Sequence, residues 1–339
     1  MNTHLLIENQ KSCTEVIAKH RIHGSCPLDS FFEDDDEEFE LWIRKGLLKH
    51  PNMKRDGVIF YDKKHETIDP GFDFNVAQIS DKAWFYTLFE LGYFWEASHI
   101  EVIFYYLRKI GLYSNLKIAV RYTTTDPFFD ETIKSLYLRY IEHASESVID
   151  VSDLIFYYIM GYKQICGKPW FEVYHVLFPI YIELDKVGRW ILGRLSFVDR
   201  LFYVYNSRWS VNDDSEVAKS VKCYSDILPL SLDLKNWRYV TKKITEPFDI
   251  VIVKGLPGER LNDSGLFVAS YAEHFITGTE MPTRDFDCYL HRKRLATLLF
   301  KHGNLKLEHG YQSADESPGL LPNDARMVLY DNKNKKETK

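Results

Sequence analysis

Residues 188–207 read GRWILGRLSFVDRLFYVYNS, and residues 254–273 read KGLPGERLNDSGLFVASYAE. The first stretch is rich in β-branched and aromatic side chains, which favour the pleated, half-buried surface of a sheet. Strands are expected at 190–197 and 201–205, joined across Val198-Asp199-Arg200, a connection of hairpin length. The second stretch opens as a loop bearing Gly255, Pro257 and Gly258, then turns apolar. It predicts a helix over 266–275, with Gly278 placed to end it. Between the two, Phe248-Asp249-Ile250-Val251-Ile252-Val253 reads as one more strand. Hairpin, strand, loop and buried helix in that order point to an α+β domain built on one sheet.

Working outward, residues 173–182 form another short β-rich run. Upstream of it the pattern becomes helical. Ile100, Ile103, Phe104 and Leu107 share one stripe, and Ser98 followed by Glu101 has the spacing of a capping box. A second amphipathic helix is expected at 131–143, and a third at 151–165, apolar nearly all round and so buried. Downstream, a last helix spans 288–302 and stops at Gly303. Before residue 91 the signals thin out: a short helix within 41–57, a strand at 58–61, turn chemistry at 68–73. Residues 1–40 read as an acidic, disordered tail ending in Glu33-Asp34-Asp35-Asp36-Glu37-Glu38. The division that follows is a tail at 1–40, an extension at 41–90, the main domain at 91–310 and a disordered tail at 311–339. No internal repeat is evident.

Composition is that of a globular protein: 45% hydrophobic, 15% aromatic and 27% charged over 339 residues. The net charge of −6 gives no general attraction to nucleic acid or to an anionic membrane. Cys13, Cys26, Cys166, Cys223 and Cys288 show no CxxC pair and no zinc spacing, so a reducing compartment and no metal are expected. There is no basic, apolar leader and no run of about 18 apolar residues. Nucleus or cytoplasm is the expected location. The pattern at 255–258 lacks the Lys-Ser/Thr of a phosphate loop, and no cofactor is expected.

With these residues in place, the chain resembles the ubiquitin-like protease family (Ulp/SENP type), and in particular its expanded plant branch. Residues 68–86 and 99–109 resemble the family's opening helices, residues 188–207 its HW…YDS hairpin, and residues 254–273 its Q…DCG helix, with HRKRLATLLFKHG at 291–303 continuing the match. Together they cover roughly 58–310. The resemblance implies a papain-like fold, a mostly antiparallel sheet packed against helices, with the nucleophile at the start of one helix. It also implies cysteine-type peptidase chemistry: a Cys thiolate, a His base, an Asp that orients it and a Gln that donates to the oxyanion, cutting after the Gly-Gly end of a modifier such as SUMO.

Position by position, that chemistry is replaced. The His position is Arg189, which holds its proton at any biological pH and cannot act as a base. The Asp position is Asn206, a neutral amide. The Cys position is Ser264, a weak nucleophile without a base. The Gln position falls on Gly258 or Glu259, and a carboxylate there repels an oxyanion. Loss of nucleophile or base alone costs about a millionfold in rate, roughly 8 kcal/mol of barrier. Trp190 survives, at the position that in the family lies over the channel receiving the Gly-Gly tail.

His175, Cys166 and Cys288 are alternative Cys/His candidates, more simply read as packed residues. His274 lies ten residues into the helix after Ser264, about 15 Å along its axis, out of reach. A static network of Arg189 with Asp263 or Asn206 is also conceivable. The expectation is a catalytically silent pseudoprotease that binds SUMO or a related modifier. The alternatives are an active serine-substituted peptidase that releases such modifiers, and a non-functional product of a mobile element.

Overall fold

The structure is a computed structural model, and it describes residues 33–44, 67–113, 120–143, 149–150, 152–184, 186–208, 213–233, 245–259, 262–280 and 286–309. In chain order the elements are α1 (Glu33–Arg44), β1 (Thr67–Asp73), β2 (Gln78–Asp81), α2 (Lys82–Phe89), α3 (Ala97–Tyr113), β3 (Tyr122–Thr124), α4 (Pro127–His143), α5 (Leu154–Ile159), β4 (His175–Leu184), β5 (Val187–Ser196), β6 (Leu201–Tyr205), α6 (Asp213–Ser220), α7 (Lys222–Asp233), β7 (Asp249–Ile252), α8 (Ser264–Thr277) and α9 (Cys288–His309). The strand expected at 58–61, Cys13, Cys26 and the C-terminal tail lie outside the described residues.

The main sheet has five strands in the order β3-β4-β5-β6-β7. Its middle is antiparallel, β4 with β5 and β5 with β6, while β3 and β7 add parallel edges. The sheet is therefore mixed, with the expected hairpin at its centre. The α+β class read from the sequence is the class observed. Side chains alternate along β4: Leu177 joins a core with α1, α2, α3, α8 and α9, whereas Val176, Phe178, Ile180 and Ile182 join a second core with α4, α5 and α7. Period-two alternation lets one strand serve both layers.

Local chemistry explains several boundaries that the sequence reading placed elsewhere. Helix α3 starts at Ala97, one residue ahead of the expected cap. The His99 ring accepts the Glu96 backbone N–H at 3.1 Å through Nδ1, the reach-back half of a capping box. The Ser98 hydroxyl instead accepts from the Trp84 indole N–H at 3.0 Å. Helix α4 starts four residues early because Asp126 Oδ1 accepts the Phe129 N–H at 3.0 Å and Pro127 takes the first helical position, where its missing N–H costs nothing. The helix expected at 151–165 is confined to Leu154–Ile159.

The turn expected at 68–73 is strand β1, paired with β2 and irregular in register between Thr67 and Phe72, where Pro70 and Gly71 sit. Gly303 does not end α9. A Cβ there would lie 2.6 Å from the Phe72 ring, so this glycine admits the ring against the helix. The acidic run is not wholly a solvated tail either, since Glu33–Arg44 is helical and Phe39 and Ile43 are buried at 0% and 1% exposure.

Helix α7 was missed because Pro229 breaks its pattern. A proline cannot donate to the carbonyl four residues back. That carbonyl, of Ser225, accepts the Phe248 N–H at 3.0 Å, and the Ser225 hydroxyl donates to the Phe248 carbonyl at 2.7 Å. The gap left by the proline thus ties α7 to the start of β7.

Candidate functional site

The antiparallel register sets Tyr181 opposite Trp190 and Ile182 opposite Arg189, at the end of β5 that runs beyond β6. Helix α4 holds this part of β4. Asp130 accepts the Tyr181 N–H at 3.2 Å and the Tyr224 hydroxyl at 2.9 Å, and Lys134 bridges Asp130 and the Tyr181 carbonyl, both at 2.7 Å. Gly188 leaves room for the Tyr181 ring, whose hydroxyl would lie 1.6 Å from any Cβ there. The ring then meets Trp190 edge-on at 5.2 Å.

Helix α8 brings Ser264 to that strand end. Ser264 Oγ accepts the Trp190 backbone N–H at 3.2 Å. Gly265 follows because Trp95 packs there, with its Cβ 2.8 Å from where an alanine Cβ would stand. The Trp190 indole N–H donates to the Trp95 carbonyl at 2.8 Å, and the Trp190 side chain is buried in the core at 4% exposure.

Asp263 does not bond to Arg189. Its carboxylate accepts from Arg292 Nε of α9 at 2.7 Å. The same guanidinium donates to the carbonyls of Thr87, Leu88, Tyr93 and Asn262. Both partners are below 4% exposed, so the pair is desolvated but fully hydrogen-bonded, the condition under which a buried ion pair persists. Asn206 is also committed elsewhere: it donates to the Arg208 carbonyl at 2.8 Å and accepts the Arg208 N–H at 3.2 Å.

Of the two residues at the oxyanion position, Gly258 is exposed and Glu259 is the one that faces inward. Its backbone N–H donates to the Ser207 carbonyl at 2.9 Å, and its carboxylate accepts the Ser207 hydroxyl at 3.2 Å. Burial raises the Glu259 pKa, while Ser207, Arg189 and Arg208 pull it back down. Arg189 is itself buried, at 3% exposure.

The alternative Cys/His candidates lie elsewhere. His175 begins β4, six residues from Tyr181 and so about 20 Å along the strand. It contacts Arg194 at 3.3 Å, and burial with that neighbouring charge lowers its pKa to about 4. Cys166 is buried in the core. Burial and the Asp263 charge push the Cys288 thiol up to about 12, so it is no nucleophile. Among the described residues, Ser264 makes no hydrogen bond to a histidine, and no cluster of His, Cys, Asp and Glu is arranged to hold a metal ion.

Of the residues singled out in the sequence, Trp190 meets Ser264, and Glu259 meets Ser207, the neighbour of Asn206. The sequence reading missed Arg292 and Ser207. Arg292 had a signal: three consecutive cations, Arg292-Lys293-Arg294, in a helix otherwise patterned for burial call for carboxylate partners.

A helix start pressed against the overhanging end of an antiparallel hairpin is the arrangement expected of a papain-like α+β fold. Solved structures similar to the chain are SUMO proteases. The Ulp1 protease domain in complex with Smt3, the yeast ortholog of SUMO, is 15% identical with a TM-score of 0.48, over 82% of this chain and 98% of that one. Ulp1 with its catalytic cysteine oxidised to a sulfinic acid gives 13% and 0.46, over 80% and 95%. The catalytic domain of the Chaetomium thermophilum Ulp1-like SUMO protease gives 14% and 0.44, over 78% and 89%. No protein-family model matches the chain, and no curated protein does. At identities and TM-scores this low the likeness carries no argument about chemistry, which rests on the residues above. No described helix is long and apolar enough to cross a membrane.

Proposed function

We propose that the chain is a catalytically silent protein of SUMO-protease type that binds a ubiquitin-like modifier without cutting it. One observation carries this reading. The hydroxyl at the nucleophile position, Ser264 Oγ, is buried at 2% exposure and accepts a hydrogen bond from a backbone N–H. An attacking serine must also hand its own proton to a base within about 3 Å, and among the described residues none accepts it. The residue beside it, Arg189, cannot take a proton. Glu259, read at the oxyanion position, offers a partly exposed carboxylate and no donor. Binding is favoured by the intact frame: the α8 start, the Trp190 and Tyr181 rings and the clamped strand β4 remain assembled. SUMO is the first modifier to test, and nucleus or cytoplasm is the matching location.

The deciding experiment incubates the protein with precursor SUMO and a panel of other ubiquitin-like precursors, with Ser264→Ala alongside. The expected result is no cleavage by either, with a modifier retained on the immobilised protein at micromolar concentration. Cleavage lost in Ser264→Ala would overturn the silent reading, and no retention of any modifier would overturn the binding half.

A further inference from the structure

We propose that Arg194 anchors a carboxylate-binding site, with the rings of Tyr203 and Phe275 as its apolar flanks and Tyr205 and His175 holding the guanidinium in place. The site does not depend on the modifier reading. Arg194 lies four residues beyond Trp190, about 13 Å along β5 and toward its other end.

The pairing of strands assembles it. Arg194 stands directly opposite Tyr203 on β6 and opposite Leu177 on β4, and Leu177 faces the core that α8 covers. Residues paired in this way share a face of the sheet. The last turn of α8 brings Phe275 to the same face. The guanidinium carbon lies 3.9 Å from the centre of the Tyr203 ring and 4.5 Å from that of Phe275. Its Nε donates to the Tyr205 hydroxyl at 2.9 Å, and Nη1 donates to His175 Nδ1 at 3.3 Å. Burial and the guanidinium itself hold the His175 pKa at about 4, so the ring is neutral at pH 7 and able to accept.

None of these partners is an anion. Arg194 is a permanent cation at 9% exposure, and charges so deep are ordinarily met by an opposite charge. Among the described residues it forms no ion pair. The acid of the adjoining hairpin turn, Asp199, is committed elsewhere: its Oδ2 accepts the Ser196 hydroxyl at 2.8 Å and the Tyr203 hydroxyl at 3.2 Å. Contact with the two ring faces offsets only part of the cost of burial. The Nη2 group makes no hydrogen bond among the described residues, yet it is not sealed from solvent. Tyr203, Phe275 and His175 around it are half-buried. A buried cation therefore turns one unused edge outward, between rings that can cover the apolar body of a ligand.

The shape and charge of that edge select the ligand. Nη2 and the remaining Nη1 hydrogen form a planar fork that matches the two oxygens of a carboxylate. The Asp199 charge acts within range of Arg194 and His175. It opposes a doubly charged phosphate more than a singly charged carboxylate. A free aromatic acid and an acidic side chain beside an aromatic one in a peptide present the same chemistry.

The test is calorimetric titration of the full chain at constant ionic strength with three probes: benzoate, a short end-blocked peptide carrying Glu next to Phe, and inorganic phosphate. At least one carboxylate is expected to bind saturably and about tenfold tighter than phosphate. Tighter binding of benzoate assigns a small acid as the ligand, and tighter binding of the peptide assigns an acidic segment of another protein. Arg194→Gln is expected to abolish the binding. Asp199→Asn, on the exposed turn, removes the neighbouring charge and is expected to tighten the carboxylate several-fold. Should Arg194→Gln not fold, Asp199→Asn decides, and an unchanged affinity there overturns the proposal. Absence of saturable carboxylate binding, or phosphate bound as tightly, overturns it too, and either result leaves the modifier reading untouched.

Discussion

At the scale of single residues, the site is organised by side chains that serve the fold. Arg292 and Asp263 neutralise each other at 0% and 3% side-chain exposure. Removing one leaves the other charged and buried. Arg292→Leu is expected to lower stability by about 3–5 kcal/mol, read as a shifted urea midpoint, and the double variant with Asp263→Asn should recover part of that loss. Gly265→Ala drives a methyl to within 2.8 Å of Trp95 Cβ and should cost about 1–3 kcal/mol in the same measurement. A thiol alone at position 264 should not confer peptidase chemistry. Ser264→Cys is expected to show no turnover of precursor SUMO, because among the described residues no base accepts a proton from position 264. Trp190 and Ser264 are legible because each sits at a fixed offset within a strand or helix signal. The partner of Asp263 is not, since Arg292 lies 29 residues beyond Asp263 and 205 beyond the Thr87 carbonyl it also binds. Nothing in local pattern links such distant segments.

At the scale of elements, legibility followed the strength of the local period. Strand β6 was read as 201–205 and is Leu201–Tyr205. Gly278, with φ 68°, closes α8 as its position after the apolar run suggested. Where the period was interrupted, reading failed: Pro229 hid α7, and Pro70 and Gly71 made a strand look like a turn. Gly303 shows how tertiary packing can override a local signal. Gly303→Ala gains about 1 kcal/mol of helix propensity, but it forces a methyl to 2.6 Å from the Phe72 ring, a strain of about 1–3 kcal/mol. The expected net effect is a small loss in melting temperature.

Helix α1 offers a different outcome. It is held by Phe39 and Ile43 together with the Lys293–Glu40 contact at 2.7 Å. Phe39→Ala is expected to release the helix without unfolding the body. Limited proteolysis should then cut near residues 33–44 while the melting transition stays nearly in place.

At the scale of the whole molecule, buried neutral histidines tie stability to pH. His99, stacked on Trp84 at 4.4 Å, has its pKa lowered by burial to about 4, against the lesser upward pull of its backbone hydrogen bonds. His291 is lowered to about 4 by burial and by Arg294, and His175 likewise by burial and Arg194. A folded-state pKa below the unfolded 6.5 means that the unfolded chain binds more protons between those values. Stability is then full above about 6.5 and is lost as pH falls toward about 4. For His99 the shift corresponds to about 3 kcal/mol. Urea midpoints are expected to fall steadily from pH 7 to pH 4.5, with a shallower slope in His99→Gln.

The three adjacent cations of α9 have one more consequence. Successive residues on a helix point about 100° apart, so Arg292, Lys293 and Arg294 reach three different acids: Asp263 at the head of α8, Glu40 on α1 and Glu273 within α8. The helix behaves like a key with three teeth. Inserting or deleting a single residue within the helix between Cys288 and Arg292 would turn every tooth away from its slot at once, whereas changing one tooth spoils only one. Single substitutions along this helix can therefore be absorbed one at a time, while the spacing of residues within it is held fixed.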